Sequence, residues 1–253
     1  MAKHIVVFDS GIGGTSVLEH IQASLPSAKF SYLMDNKYLP YGKRSSQFLT
    51  QRITCLLTQF IKEIEPVDIL VVACNTASTQ TLVQLRAQFD FPIVGVVPAI
   101  KPAAEKSLSK RIGVLATPAT VANEYTATLI DDFARSCEVD LYGSSELVRL
   151  AEYKFWFNTL DMQALAQELD KLAINSEIDH LVLGCTHFPI IANELKQLIR
   201  HDLQLLDSGE AIANRVSSLI GECNVEDNKK QPVDYYATAA LEQTKLQISV
   251  IND

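Results

Sequence analysis

Short apolar runs alternate with stretches of helical period along the whole chain, which predicts strands separated by helices. Residues 4–8 form an apolar strand that breaks at Asp9-Ser10-Gly11-Ile12-Gly13-Gly14, and residues 15–25 then carry a helical pattern. Residues 30–34 form a second strand. The loop after it, Asp35-Asn36-Lys37-Tyr38-Leu39-Pro40-Tyr41-Gly42, gathers aromatic and polar groups around turn-forming proline and glycine. A long helix over 45–64, a strand over 69–73, a helix opening at 76–79 and a short strand within 91–98 complete a first series. The proline-bounded turn near Pro98 marks a place for the chain to leave one lobe.

The pattern then starts afresh. A helix over 99–107 and a strand over 111–115 lead into Ala116-Thr117-Pro118-Ala119-Thr120, where threonine and proline signal a helix start. A weak strand over 139–142 is followed by a mixed stretch, 144–158, that holds Glu152 and the only tryptophan, Trp156. A helix over 161–174, a strand over 179–183 and a helix over about 189–200 follow. Asp207-Ser208-Gly209 repeats the earlier Asp9-Ser10-Gly11, and the helix 210–219 and strand 233–237 are expected to return to the first lobe. The polar run 222–231 is a surface loop, and no segment is low in complexity. The expected fold is therefore α/β, with two similar lobes, each a mostly parallel sheet flanked by helices: residues 1–97 with 208–253, and 98–207.

Two of the predicted strands share a design. Leu70-Val71-Val72-Ala73-Cys74-Asn75-Thr76-Ala77-Ser78 returns as Leu181-Val182-Leu183-Gly184-Cys185-Thr186-His187-Phe188, which puts a cysteine at the carboxyl end of a buried strand in each lobe. Open α/β sheets hold their ligands at that edge. A lone cysteine there is usually a small core hydrophobe. Two matched copies with hydroxyl and amide neighbours point instead to a site in the cleft between the lobes.

Composition narrows the choice. At 253 residues, 47% hydrophobic and 21% charged, the chain can bury a real core. Its net charge of -8 argues against nucleic acid and membrane surfaces and for a small ligand. No apolar stretch reaches membrane-spanning length, and Met1-Ala2-Lys3-His4 runs straight into a strand, so a cytoplasmic location is expected. Cys55, Cys74, Cys137, Cys185 and Cys223 are an odd, widely spaced set without a CxxC, which argues against disulfides and structural zinc. The Gly11, Gly13, Gly14 turn has Ser16 where a dinucleotide fingerprint needs glycine; it is an anion-compatible helix start beside Asp9, a residue that reads equally as a helix cap.

A strand-end thiol can be a nucleophile, metal ligand, redox partner or general acid and base. A nucleophile pairs with one histidine, as Cys185 does with His187, but leaves Cys74 unused. Cys74, Cys185 and His187 are few ligands for a metal, and a redox pair usually lies closer in sequence. Acid/base work explains the pairing, because inverting a carbon needs one group to take a proton and another to deliver one to the opposite face. Asp9 could then assist Cys74, and His187 could assist Cys185. Glu152 on sequence alone reads as a solvated helix charge.

These residues, taken with Phe8-Asp9-Ser10-Gly11-Ile12-Gly13-Gly14, Pro40-Tyr41-Gly42, Gly95-Val96-Val97-Pro98-Ala99, Leu115-Ala116-Thr117 and Gly184-Cys185-Thr186-His187-Phe188-Pro189, make nearly the whole chain resemble the cofactor-independent glutamate racemases of bacterial cell-wall synthesis. The resemblance implies that Cys74 deprotonates D-glutamate and Cys185 L-glutamate, with Asp9, Glu152 and His187 assisting. It implies substrate contacts from Asp9, Ser10, Tyr41, Gly42, Asn75, Thr76, Thr186 and His187, with Thr117 and Thr120 nearby. It also implies no cofactor and no metal, and the chain is expected to act as a homodimer. Small donors rather than Arg or Lys suit an enzyme that must hold either enantiomer.

The chain departs from the family's pattern in two places. Ser144-Ser145 and Arg149 stand where a Cys-Pro and a second proline usually precede the glutamate that Glu152 matches. After Tyr235-Tyr236-Ala237-Thr238, Ala239-Ala240 replace a usual Gly-Asp, a change expected to affect the rim or the oligomer more than the chemistry. The amino-terminal extension that some members use for activation by a cell-wall precursor does not precede Met1, so no such control is expected. The rival readings are a sister racemase acting on aspartate or another amino acid, which the Asp9-Ser10-Gly11 turn and Cys185-Thr186-His187 disfavour, and an inactive relative that binds a protein such as DNA gyrase.

Overall fold

The computed structural model describes residues 2–64, 66–199, 201–221, 230–242 and 244–251; Cys223 and most of the expected 222–231 loop lie outside them. The first elements follow the apolar rhythm closely: β1 (His4–Asp9), α1 (Thr15–Ser24), β2 (Lys29–Met34), α2 (Ser46–Ile64), β3 (Ile69–Val72), α3 (Asn75–Gln88) and β4 (Ile93–Gly95). The loop between β2 and α2 contains two 3-10 turns, Asn36–Tyr38 and Tyr41–Lys43. Next come α4 (Ile100–Lys106), β5 (Arg111–Ala116), α5 (Pro118–Val121), α6 (Glu124–Phe133), β6 (Glu138–Gly143), α7 (Glu146–Phe157), α8 (Met162–Leu172) and β7 (His180–Leu183). The 3-10 turn Phe188–Ile191, α9 (Ala192–Leu198), β8 (Gln204–Leu206), α10 (Gly209–Ile220), β9 (Val233–Ala237) and β10 (Ile248–Val250) close the chain.

The fold is two-lobed α/β. By contact density the chain divides into Met1–Val96 with Gly209–Asp253, and Val97–Ser208. The first unit carries a six-stranded sheet in the order β10-β9-β2-β1-β3-β4, and the second a four-stranded sheet, β6-β5-β7-β8. Among the described residues every pairing is parallel. Central β1 is buried at all six positions, which is why it reads as a continuous apolar run rather than an alternating one. In α2, Leu49, Ile53, Leu56, Leu57, Phe60 and Ile61 form the buried stripe that a helix of period 3.6 requires.

Three elements differ from the sequence pattern. The mixed stretch 144–158 is a continuous helix, α7, whose buried stripe is Leu147, Val148, Leu150 and Ala151. Its start is held by the Ser144 hydroxyl, which accepts from the Leu147 N–H, and it ends with Asn158 in the left-handed region. The helix expected from 189 begins instead as the 3-10 turn Phe188–Ile191. The carboxyl terminus, left without an element in the sequence reading, adds β10 as an outer strand beside β9.

Candidate active site

In the first unit the site begins where β1 and β3 end side by side. Their register aligns Phe8 with Val72, and the Ala73 N–H donates to the Phe8 carbonyl at 2.7 Å, so Asp9, Ser10 and Cys74 emerge at one sheet edge. Asp9 is fully buried, with Ser10 and Cys74 nearly so. Gly14 stands at the N-cap of α1. Asp9 Oδ1 accepts from the Ser10 N–H at 2.5 Å and the Ser10 hydroxyl at 3.1 Å. The Ser10 Oγ lies 3.7 Å from Cys74 Sγ, so one hydroxyl reaches both the carboxylate and the thiol.

Cys74 is also the N-cap residue of α3, its carbonyl accepting from the Ser78 N–H. The Ser78 hydroxyl donates to the Val72 carbonyl at 2.8 Å and accepts from the Val96 N–H at 3.1 Å, fixing α3 onto β3 and the end of β4. Asn75 and Thr76 open the helix in buried positions, and Asn75 Oδ1 has no hydrogen-bond partner among the described residues. An orphaned buried acceptor of this kind is costly unless a ligand meets it.

Tyr41, expected among the substrate-contacting positions, turns its side chain to Asp35. It is 1% exposed, and its hydroxyl donates to Asp35 Oδ2 at 2.6 Å. Burial, the Asp35 charge and that hydrogen bond hold the phenol well above its ordinary range. Asp35, fully buried, also accepts from Arg52 Nε at 3.0 Å, Arg52 Nη2 at 2.8 Å and the Thr238 hydroxyl at 2.7 Å. Asn36 Oδ1 accepts from the Thr238 and Ala239 N–H groups. This anchorage, which the sequence reading missed, ties the loop carrying Tyr41 and Gly42 to the atypical carboxyl-terminal segment. A charged Asp in a Pro/Gly loop is the only sequence signal that could have pointed to it.

In the second unit β7 ends beside β5, and the Gly184 N–H donates to the Leu115 carbonyl at 2.7 Å. A Cβ on Gly184 would stand 3.1 Å from that of Ala116 and 3.3 Å from the Leu115 oxygen, so the close approach requires glycine. Cys185, Thr186 and His187 follow, all buried. Cys185 Sγ lies 3.7 Å from His187 Nδ1, and His187 Nε2 lies 2.7 Å from Glu152 Oε1. Glu152 is therefore no solvated charge: its side chain is 14% exposed and faces the histidine. Burial works against the protonated form of His187, but the bonds to Cys185 and Glu152 outweigh it and hold the imidazolium well above the ordinary histidine range.

The departures near Glu152 have a plain structural account. Ser144 donates to Glu168 Oε1 as well as capping α7, and Arg149 forks onto Glu146 on the exposed face. Thr117 caps α5 and lies 3.0 Å from the Thr120 hydroxyl, both buried. Among the described residues no cluster of three or more His, Cys, Asp or Glu is disposed to hold a metal ion, and no helix is long and apolar enough to cross a membrane.

Two parallel sheets, each ending a strand in a buried cysteine, one beside the Ser10 hydroxyl and the other beside the His187 imidazole, define a class of two-lobed α/β enzyme. Residues 14–216 match the Asp/Glu/Hydantoin racemase family, and the chain belongs to it. It is 49% identical to the glutamate racemase of Shewanella sp. (strain MR-7) over 249 residues, 98% of this chain and 91% of that one. The crystal structure of Escherichia coli glutamate racemase, in complex with L-glutamate and the activator UDP-MurNAc-ala, aligns with a TM-score of 0.87 at 40% identity, covering 96% of this chain and 91% of that one. Glutamate racemase isoform RacE1 from Bacillus anthracis aligns at 0.80 with 26% identity, covering 99% and 97%.

Proposed function

We propose that the protein interconverts L- and D-glutamate with Cys74 and Cys185 as the two acid/base groups, without cofactor or metal. The observation that carries the proposal is the matched pair of strand-end thiols, each with a different proton-handling partner: Ser10 and Asp9 for Cys74, His187 and Glu152 for Cys185. Starting from D-glutamate, the Cys74 thiolate takes the α-proton and becomes a thiol, while the Cys185 thiol gives its proton to the opposite face and becomes a thiolate. The product is L-glutamate, and the reverse reaction exchanges the roles. The Ser10 hydroxyl can accept from the Cys74 thiol or turn to donate to its thiolate. His187, held as the imidazolium, supplies the counter-charge for the Cys185 thiolate.

Substrate recognition falls to small groups. The orphaned Asn75 Oδ1 is available to a substrate ammonium, and Ser10, Gly42, Thr76 and Thr186 supply hydroxyls and backbone N–H groups for carboxylates. The Tyr41 side chain shapes the pocket from behind through Asp35. We place the enzyme in the cytoplasm as a homodimer, providing D-glutamate for peptidoglycan.

Single-cysteine variants in heavy water test the two-thiol chemistry. Cys185→Ala should racemise neither enantiomer, yet Cys74 should still exchange the α-proton of D-glutamate for deuterium without inversion. Cys74→Ala should give the mirror result with L-glutamate. Loss of a positioned base typically costs ~10²- to 10⁴-fold, so exchange is read by proton NMR over long incubation. Interconversion at near the parental rate by either variant rules the mechanism out.

A further inference from the structure

Trp156 is one of the side chains that hold Glu152. One turn along α7, its indole Nε1–H donates to Glu152 Oε2 at 2.8 Å, while Glu152 Oε1 meets His187 at 2.7 Å and His187 Nδ1 faces Cys185. Both carboxylate oxygens are thus directed, one to the tryptophan and one to the imidazole. We propose that Trp156 is a positioning residue for proton transfer at Cys185: by fixing Oε2 it aims Oε1 at His187 and keeps the imidazole turned toward the thiol. The inference rests on the reading of Cys185 as a reacting group.

The geometry favours this role over simple packing. Trp156 is only half-buried, packed edge-on against Phe155 with ring centroids 4.9 Å apart, so it contributes little to the core. The docking of α7 on the Phe188–Ile191 turn has its own fastening, because Lys154 Nζ donates to the Ile190 carbonyl and to Glu194, all at 2.7 Å. A carboxylate held at one oxygen only can rotate about its terminal torsion, which is broad. A donor on the second oxygen removes that freedom. Outer partners of this kind commonly set the orientation of a histidine and the basicity of what it serves.

Trp156→Phe keeps the ring and removes the donor. Alkylation by iodoacetamide, followed by mass spectrometry of the peptides carrying Cys185 and Cys74, reads each thiol separately and without reference to turnover. In the variant, alkylation of Cys185 at neutral pH is expected to slow by ~10-fold, the worth of one hydrogen bond to a charged group, and its pH profile to move to higher pH. The profile at Cys74 should stay where it is in the parent. The thermal midpoint should move by less than ~4 °C, within what a loss of about one bond produces in a domain of this size. Because the two enantiomers are equal in free energy, kcat/KM should fall by the same factor in both directions. A Cys185 profile that superposes on the parent's overturns the proposal. If Cys185 shifts as expected but the parent does not racemise glutamate, the positioning role stands and the substrate reading fails.

Should Trp156→Phe not fold, the parent protein carries the test, since its emission comes from one indole. Glu152→Ala removes the acceptor, so the emission maximum and its pH dependence must change. Spectra that coincide between parent and Glu152→Ala overturn the proposal equally.

Discussion

Tyr41 shows how a side chain can serve the loop that carries it. Its hydroxyl ends at Asp35, which also balances Arg52 and Thr238, so the phenol serves the anchorage of the loop. Tyr41→Phe should cost ~1.5–3 kcal/mol of stability, the range for a hydrogen bond to a charged group, and leave the KM for glutamate close to the parent's. Urea denaturation and steady-state kinetics on one preparation measure both; a large rise in KM with unchanged stability contradicts this role. Arg52→Ala should cost more, ~3–5 kcal/mol, because it strands a fully buried carboxylate.

At the scale of elements, the turn between β1 and α1 is decided by space rather than by unusual backbone. Gly14 has an ordinary right-handed conformation, but a Cβ there would stand 2.9 Å from the Tyr32 hydroxyl and 3.0 Å from the Cβ atoms of Ala73 and Asp9. Gly14→Ala should therefore cost ~1–3 kcal/mol by overpacking and also lower kcat, since two of the three atoms it strikes belong to the chain segments carrying Asp9 and Cys74. For Gly95→Ala the three nearest atoms all belong to the Leu82 side chain, and the variant should destabilise with little change in kcat. Thermal melts beside rate measurements separate the two; equal kcat in both variants would place the turn outside the chemistry. These strand ends were legible in the sequence because a parallel strand buried on both faces is a continuous apolar run closed by a polar turn. Helix α7 was less legible, since the aromatic run Tyr153 to Phe157 blurs its period and Ser144 caps from outside the helix. The Asp35–Arg52–Thr238 anchorage was not legible, because it joins residues 203 apart through side chains alone. The bond from Glu152 to His187 likewise joins two elements that sequence cannot place side by side.

Across the whole molecule the shifted groups set a pH profile for stability. His4 is buried with its ring nitrogens on the Pro66 carbonyl and the Ser31 hydroxyl, and burial lowers its pKa. The unfolded chain then binds the proton more readily, so stability falls as pH drops below ~6.5. Asp68 and Asp179 are opposed by burial but held below the usual carboxylate range by their donors; their contribution is present above ~4 and is lost as pH falls further, through the folded values. His187 acts in the opposite sense: its raised pKa gives stability that is fully present below ~6.5 and is lost as pH rises through the folded value. Urea denaturation across pH should show a maximum near ~6.5, and His187→Asn should remove the decline just above it while leaving the one above ~10, where unfolded tyrosines ionise and buried Tyr41 does not. A profile still rising through pH 8 in the parent would contradict the state assigned to His187. The central claim, that this fold and its two thiols racemise glutamate, meets its most direct test in purified protein incubated with L-glutamate alone, without pyridoxal phosphate, metal or nucleotide, and followed by circular dichroism and chiral chromatography. The account predicts decay of the signal to zero with equal amounts of the two enantiomers at the end; L-glutamate left unchanged, or conversion only of aspartate, would contradict it.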